Sequence, residues 1–405
     1  MAGGDRVTDP SEPPSRRTWV APLRARDSTE SHRASTPLEL LFDLCFVVAI
    51  AQAAASLHHA VADDHLGQAL LGYPMVFFAI WWAWMNFTWF ASAYDNDDVP
   101  YRLAVFVQIA GVLILAAGVP RAFDGRDFAV VTLGYCVMRL ALVTMWVRAA
   151  GADPPRRRTD LRYATGVGVV QVGWILLLVA PAGVRVPGFL ALVACELAVP
   201  IWAERTTPTR WHPHHIEERY ALFTIIVLGE SILAATLAVQ SALDAGEALD
   251  DVALVAVGGL VIVCSMWWLY FTQPSSEIAV AARDGIDDES SNLPFTWGYG
   301  HYLVFASAAA VGAGLAVAVD RVSHQSEVSV RTAGLAVAAP VAIYLLSVWA
   351  VHRGAQRPAR TFAYPVAAAV VVVAGAAGSG ALVVGLVLVA VVAVTTSPND
   401  GPSTG

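Results

Sequence analysis

Thr36–Ile50 reads T-P-L-E-L-L-F-D-L-C-F-V-V-A-I, and His215–Ser231 reads H-I-E-E-R-Y-A-L-F-T-I-I-V-L-G-E-S. Both are apolar runs of helical length that carry acids. Glu39 and Asp43 lie in the first; Glu218 and Glu230, with Arg219, lie in the second. An ionised carboxylate in hydrocarbon costs roughly 2.5–3.5 kcal/mol on insertion scales. Such a group needs a partner, water or a bound proton, so these two runs fix the class of fold and locate the first candidates for function.

The rest of the chain agrees with lipid as the solvent. Of 405 residues, 57% are hydrophobic and 14% charged, against about 25% charged in soluble domains; the mean hydropathy is +0.57. No lysine occurs, so arginine supplies all 25 residues of the basic count. That excludes a retinal pigment or a Schiff-base enzyme, which need a lysine amine. Cys45, Cys136, Cys195 and Cys264 sit in apolar runs without metal-ligand spacing and read as small hydrophobes. No Walker loop, GxSxG, HExxH or dinucleotide fingerprint is present. The pattern implies no cofactor and no nucleic-acid partner, since the arginine clusters flank apolar runs as topology signals.

Taking about 20 residues per crossing, twelve spans are predicted: 38–57, 69–92, 101–119, 128–148, 161–180, 186–203, 217–240, 252–273, 297–318, 331–351, 361–377 and 379–396. The last two share one apolar tract broken by Gly-rich 374–380, which also admits one long helix and a re-entrant piece. The N-terminal tail and the connections on its side hold 19 arginines, and the opposite connections hold 5. By the positive-inside rule both termini are then cytoplasmic, in a plasma membrane. Residues 1–35 and 397–405 read as tails.

The acid-bearing runs each open a set of six spans. W-W-A-W-M-N-F-T at Trp81–Thr88 and W-W-L-Y-F-T at Trp267–Thr272 occupy the second span of each set. The expected architecture is all-α, with two six-helix halves, 36–205 and 206–396, as a parallel repeat. Many transporters place their site between such halves; shared membrane composition is the other source of such similarity.

Glu39 and Asp43 are spaced i, i+4 and share one helix face. Thr36 and Pro37 suit a helix start, so Glu39 also complements the helix N-terminus. Glu217, Glu218 and Arg219 are expected at the water boundary. Glu230 lies mid-span, beside Gly229, which is expected to let another helix approach. Arg139 and Glu196 lie mid-span in the first half, with Asn86, Gln108 and Gln171 as neutral polar groups. Arg139 is expected to pair with Glu230 or Glu196. One cation cannot neutralise Asp43, Glu196 and Glu230, so one of them is expected to hold a proton in some state, either in a relay or within a static network joining helices.

Tyr94–Arg102 reads Y-D-N-D-D-V-P-Y-R. Asp97 or Asp98 is expected to cap the third span, with Asp95, Arg102 and the other acids forming a latch; there is no EF-hand spacing for calcium. His58, His59 and His65, and His212, His214 and His215, form loop clusters without recognised metal geometry, and no metal is assigned. His301, in W-G-Y-G-H-Y, either titrates near neutrality or satisfies a backbone carbonyl.

On T-P-L-E-L-L-F-D-L, W-W-A-W-M-N-F-T-W-F, Y-D-N-D-D-V-P-Y-R, H-I-E-E-R-Y-A-L-F-T-I-I-V-L-G-E-S and Y-G-H, the chain resembles the bacterial low temperature requirement protein A (LtrA) family over residues 35–395. The resemblance places family motif residues at Glu39, Asp43, Asp95, Asp97, Asp98, Arg102, His215, Glu218, Arg219, Glu230 and His301. Leu41, Cys45 and Ala221 depart from the common residues at packing positions. It implies a bacterial multi-pass protein linked to growth in the cold and supplies no reaction. The expected function is secondary transport of an unknown solute or ion, with proton coupling through Glu39, Asp43 and Glu230 and Arg139 as counter-ion. A membrane enzyme acting on a lipid or lipid-linked substrate, with the cytoplasmic acids and His215 or His301 in acid–base roles, and a cold or envelope-stress sensor are the alternatives. Membrane lipid and the unknown small-molecule or ion substrate are the expected partners.

Overall fold

The computed structural model describes residues 19–25, 35–246, 249–272, 293–352 and 362–396. The predicted tail 397–405, and residues 1–18 and 26–34 of the N-terminal tail, lie outside these. Twelve α-helices are present among the described residues: α1 Pro37–Ala62, α2 Leu66–Ala93, α3 Val99–Gly125, α4 Ala129–Ala152, α5 Arg157–Leu178, α6 Ala182–Ala203, α7 Pro213–Asp244, α8 Leu249–Phe271, α9 Leu293–Val322, α10 Val330–His352, α11 Ala363–Ala376 and α12 Ala381–Thr396. The first ten are long and apolar enough to cross a membrane. α11 has 14 residues and α12 has 16, both short of a full crossing. The Gly-rich break is a tight turn between two separate helices. Gly378 holds φ +79°, which favours a residue without Cβ.

The bundle is a polytopic helical fold whose interior is ring-rich. α2 and α9 are its most enclosed helices. Trp81, Trp82, Trp84, Phe87 and Phe90 of α2 are buried, as are Val304, Phe305 and Val311 of α9. Leu140, Val169, Leu190, Val366 and Val373 are exposed on the outside. Apolar side chains on both faces of a helix are what a lipid-surrounded bundle requires.

Close helix contact is built on small residues. At the α3–α4 crossing a Cβ on Gly134 would lie 2.5 Å from the Gly111 carbonyl oxygen and 2.6 Å from the Leu115 nitrogen. At α10–α11, Gly334 meets Gly375 in the same way, 2.5 Å from its carbonyl oxygen. Because those neighbours are backbone, Gly134→Val forces the helices apart. The expected cost is about 1–3 kcal/mol or more, read as a lower melting temperature in detergent. Gly168→Ala, with nothing within 4 Å of the new Cβ, should instead gain roughly 0.5–1 kcal/mol in the same measurement.

Within the stretch read as a tail, residues 19–25 pack against the bundle. Arg24–Ala25 (β1) pairs antiparallel with Tyr94–Asp95 (β2), in register Arg24 with Asp95. Leu23 is fully buried, and Asn96 Nδ2 and an Arg148 Nη2 donate to the Ala21 carbonyl. A single buried leucine and two side-chain donors hold this segment against the bundle, where composition alone offered only a polar tract.

Candidate functional site

The α1 entry forms as its sequence dictates. Thr36 caps the helix, its hydroxyl accepting from the Glu39 N–H at 3.3 Å, and Glu39 Oε2 accepts from the Thr36 N–H at 2.7 Å. This reciprocal box satisfies two N-terminal donors. It also fixes the other carboxylate oxygen of Glu39, which lies 3.2 Å from His215 Nε2 and 3.4 Å from Arg219 Nη1. One turn deeper, Asp43 Oδ2 accepts from Arg219 Nε at 3.0 Å, and Oδ1 accepts from Arg219 Nη2 and, at 2.7 Å, from Trp84 Nε1. Thr88 Oγ1 accepts a further bond from Arg219 at 3.3 Å.

Two i, i+4 pairs therefore face each other, Glu39 and Asp43 on α1 against His215 and Arg219 on α7. Asp43 and Arg219 are both 0% exposed. Trp84 is stacked on Phe223 at 4.2 Å and edge-on to Phe305, which closes the cluster toward the membrane centre. The fork-to-fork pairing is the strong geometry for a guanidinium and a carboxylate. Here two expectations are corrected. Arg219, placed at the water boundary by sequence, is fully enclosed, and it rather than Arg139 is the counter-ion of Glu39 and Asp43.

Arg139 serves a separate cluster. Its Nη2 lies 3.1 Å from Glu196 Oε1 and its Nη1 donates to Asn86 Oδ1 at 3.2 Å. Glu196 also accepts from Trp82 Nε1 at 2.7 Å and Trp174 Nε1 at 3.0 Å, and Arg139 lies over the Tyr135 ring. α2, α4, α5 and α6 each contribute. Of the two partners weighed for Arg139, the fold selects Glu196. Glu230 is buried, with no hydrogen bond or ion pair to another described residue, and meets neither Asp43 nor Arg139. Gly229 beside it faces open space among the described residues, so no helix approaches there. Gln108 and Gln171 donate to Met145 and Cys136 sulfurs.

The remaining motif residues divide between anchoring and capping. Glu218 accepts from the Ser35 N–H at 3.1 Å. Asp97 pairs with Arg102 on the exposed surface. The Asp95 side chain lies outside the described residues. His301 is fully buried, its Nδ1 2.8 Å from the Trp297 carbonyl and its Nε2 3.0 Å from the Tyr270 hydroxyl; of its two readings, the carbonyl contact is realised. His58 is 2.6 Å from Asp320, tying α1 to α9 at the far end.

Asp98 is the cap of α3, accepting from the Tyr101 N–H at 2.9 Å. It also pairs with Arg148 and accepts from the Ala21 N–H at 2.8 Å. Burial opposes its ionisation, but the Arg148 guanidinium and these N–H donors outweigh it and hold the carboxyl below the usual carboxylate range. A folded-state value below the unfolded one, near 3.9, gives stability that is present above that pH and lost as pH falls through the folded value. Asp98→Asn should lower the melting temperature at neutral pH and flatten its decline below about pH 4, measured by circular dichroism across pH.

Sequence reading missed Asp160, Asp153 and Arg156. Tyr94 donates to Asp160 at 2.8 Å, and Arg156 pairs with Asp153 at 3.1 Å. Their run, D-P-P-R-R-R-T-D, reads as a topology signal, and only the partner Tyr94, 66 positions away, reveals its buried acid.

These are the features of a multi-pass helical membrane protein with buried charge clusters. The family described as Bacterial low temperature requirement A protein (LtrA) matches residues 34–397, and the chain belongs to that family. A protein of Rhizobium meliloti (strain 1021), whose name assigns no activity, is 27% identical over 292 residues, covering 68% of this chain and 67% of its own. No solved structure matches the chain.

Proposed function

We propose that this protein is a secondary transporter of a small solute, coupled to protons where α1 meets α7. One observation supports it above the others, the charge count of that cluster. Glu39 and Asp43 face one permanent cation, Arg219, and one titratable ring, His215. The four groups are neutral only with one further proton, carried on His215 or on a carboxyl. In a low-dielectric interior an uncompensated charge is expensive. Gain or loss of that proton therefore changes how strongly α1 and α7 attract.

These two helices open the proposed six-helix halves. The order of neighbours recurs between them: α1–α2, α1–α3, α3–α4, α4–α5 and α5–α6 match α7–α8, α7–α9, α9–α10, α10–α11 and α11–α12. That recurrence supports two related units, 36–205 and 206–396, rocking against each other. Both termini are then cytoplasmic in a bacterial plasma membrane. Glu230, deeper on α7, is the proposed next proton site along the same helix.

The test is charge movement on solid-supported membranes carrying the purified chain, challenged with amino acids, short carboxylates and inorganic cations under a proton gradient. At least one class should evoke a current that depends on pH in the wild type and loses that dependence in Glu39→Gln/His215→Gln. No current above protein-free vesicles with any class would defeat the reading, and a chemically altered lipid in the same vesicles would replace it with an enzyme.

A further inference from the structure

Beside the Arg139–Glu196 cluster and apart from the α1–α7 cluster, a cavity of about 210 Å³ opens among α2, α4, α5, α6 and the α3–α4 connection. Its walls are mostly apolar, with Met75, Phe78, Phe128 and Phe189 prominent, and include Trp174 and Tyr135, which contact Glu196 and Arg139. An apolar cavity of roughly 150 Å³ takes up benzene, so this one has room for a ring or a single short chain. Two acyl chains would not fit.

The rim has a different character. Arg126, Asp127 and Arg185 line it. This is the arginine-poor face, with 5 arginines in its connections against 19 on the other, yet two of the five stand at one opening. Neither forms an ion pair with a described acid. Arg185 Nε is held by the Ala180 carbonyl at 3.0 Å, and Arg126, the left-handed cap of α3 at φ +53°, is exposed. The nearby acids are turned to protein donors: Asp127 accepts from the Ala129 N–H at 3.1 Å, and Asp124 from Gln68 at 3.0 Å. α4 and α6 both begin at this rim, so the positive ends of two helix dipoles add to the guanidiniums.

From this combination we infer that the cavity binds a single-chain anionic amphiphile, its chain among Phe78, Phe128 and Phe189 and its head between Arg126 and Arg185. The head is a carboxylate or a lysolipid phosphate, chemistries that share one negative group on one chain. The site stands apart from the transport reading, and failure of either leaves the other intact.

Equilibrium dialysis of radiolabelled decanoate, and separately of lysophosphatidylglycerol, against the full chain in phosphatidylcholine nanodiscs tests this. For one of the two, saturable binding near one per chain is expected above protein-free discs. Arg126→Gln and Arg185→Gln should each weaken it roughly tenfold. Both residues are exposed, so these variants are expected to keep the wild-type melting temperature. Ala79→Phe, which fills the cavity, should remove binding, and decyltrimethylammonium should not compete. Binding of neither probe above empty discs, equal binding of the cationic analogue, or indifference to both arginine substitutions would overturn the assignment.

Discussion

Arg219→Met should be the most damaging single substitution in this protein, costing about 3–5 kcal/mol or abolishing the folded state. The methionine removes the one permanent cation between two carboxylates. Asp43 would keep only the Trp84 donor, and Glu39 would keep Thr36 and His215. Asp43 is fully enclosed, so water cannot replace the guanidinium. Asp43→Asn should cost less, because Arg219 retains Glu39 at 3.4 Å and the Thr88 hydroxyl. The paired change Asp43→Leu/Arg219→Met should recover much of the loss, since replacing a buried pair with apolar groups is often near neutral. Melting temperatures of the four proteins in one detergent check the ranking. Equal losses for Asp43→Asn and Arg219→Met would show that the charges are solvated after all.

The Arg139–Glu196 pair should give the second large effect. Arg139→Met leaves Glu196 with two indole donors and no cation, at an expected cost of about 3–5 kcal/mol. Glu196→Gln keeps an acceptor for the indoles but strands Arg139 on Asn86 and the Tyr135 ring. The two groups are in direct contact, so the losses should not add, and a double-mutant cycle should return a coupling of about 1–3 kcal/mol. Additive losses would mean that the pair does not interact energetically.

Much of the frame was legible in the chain. Hydropathy runs located the helices, and the capping box at Thr36 and the cap at Asp98 followed from side chains within three residues of the groups they satisfy. The i, i+4 spacing placed Glu39 and Asp43 on one face, but His215, read as part of a loop cluster, lies on α7 one turn from Arg219. The partners were not legible. Asp43 meets Arg219 across 176 positions and Arg139 meets Glu196 across 57. Arg219 stood next to Glu217 and Glu218 in a run that reads as a water boundary, so its burial went unforeseen. No helix among the described residues approaches Gly229 for the same reason, because mid-span depth says nothing about rotation.

The sequence by itself determined that this is a helical membrane protein, where its apolar helices run, and which carboxyls lie within them. Those properties depend on length, hydropathy and spacing along one helix, all of which are local. Only the tertiary structure decided that two acids share Arg219, that Arg139 belongs to Glu196, that Leu23 is buried, and that a cavity opens under Arg126 and Arg185. A membrane helix is apolar on its lipid face and on its protein face alike, so hydropathy carries little information about its rotation. Rotation is set where backbones come close, at pairs such as Gly111 with Gly134 and Gly334 with Gly375, and the charged partners follow from it.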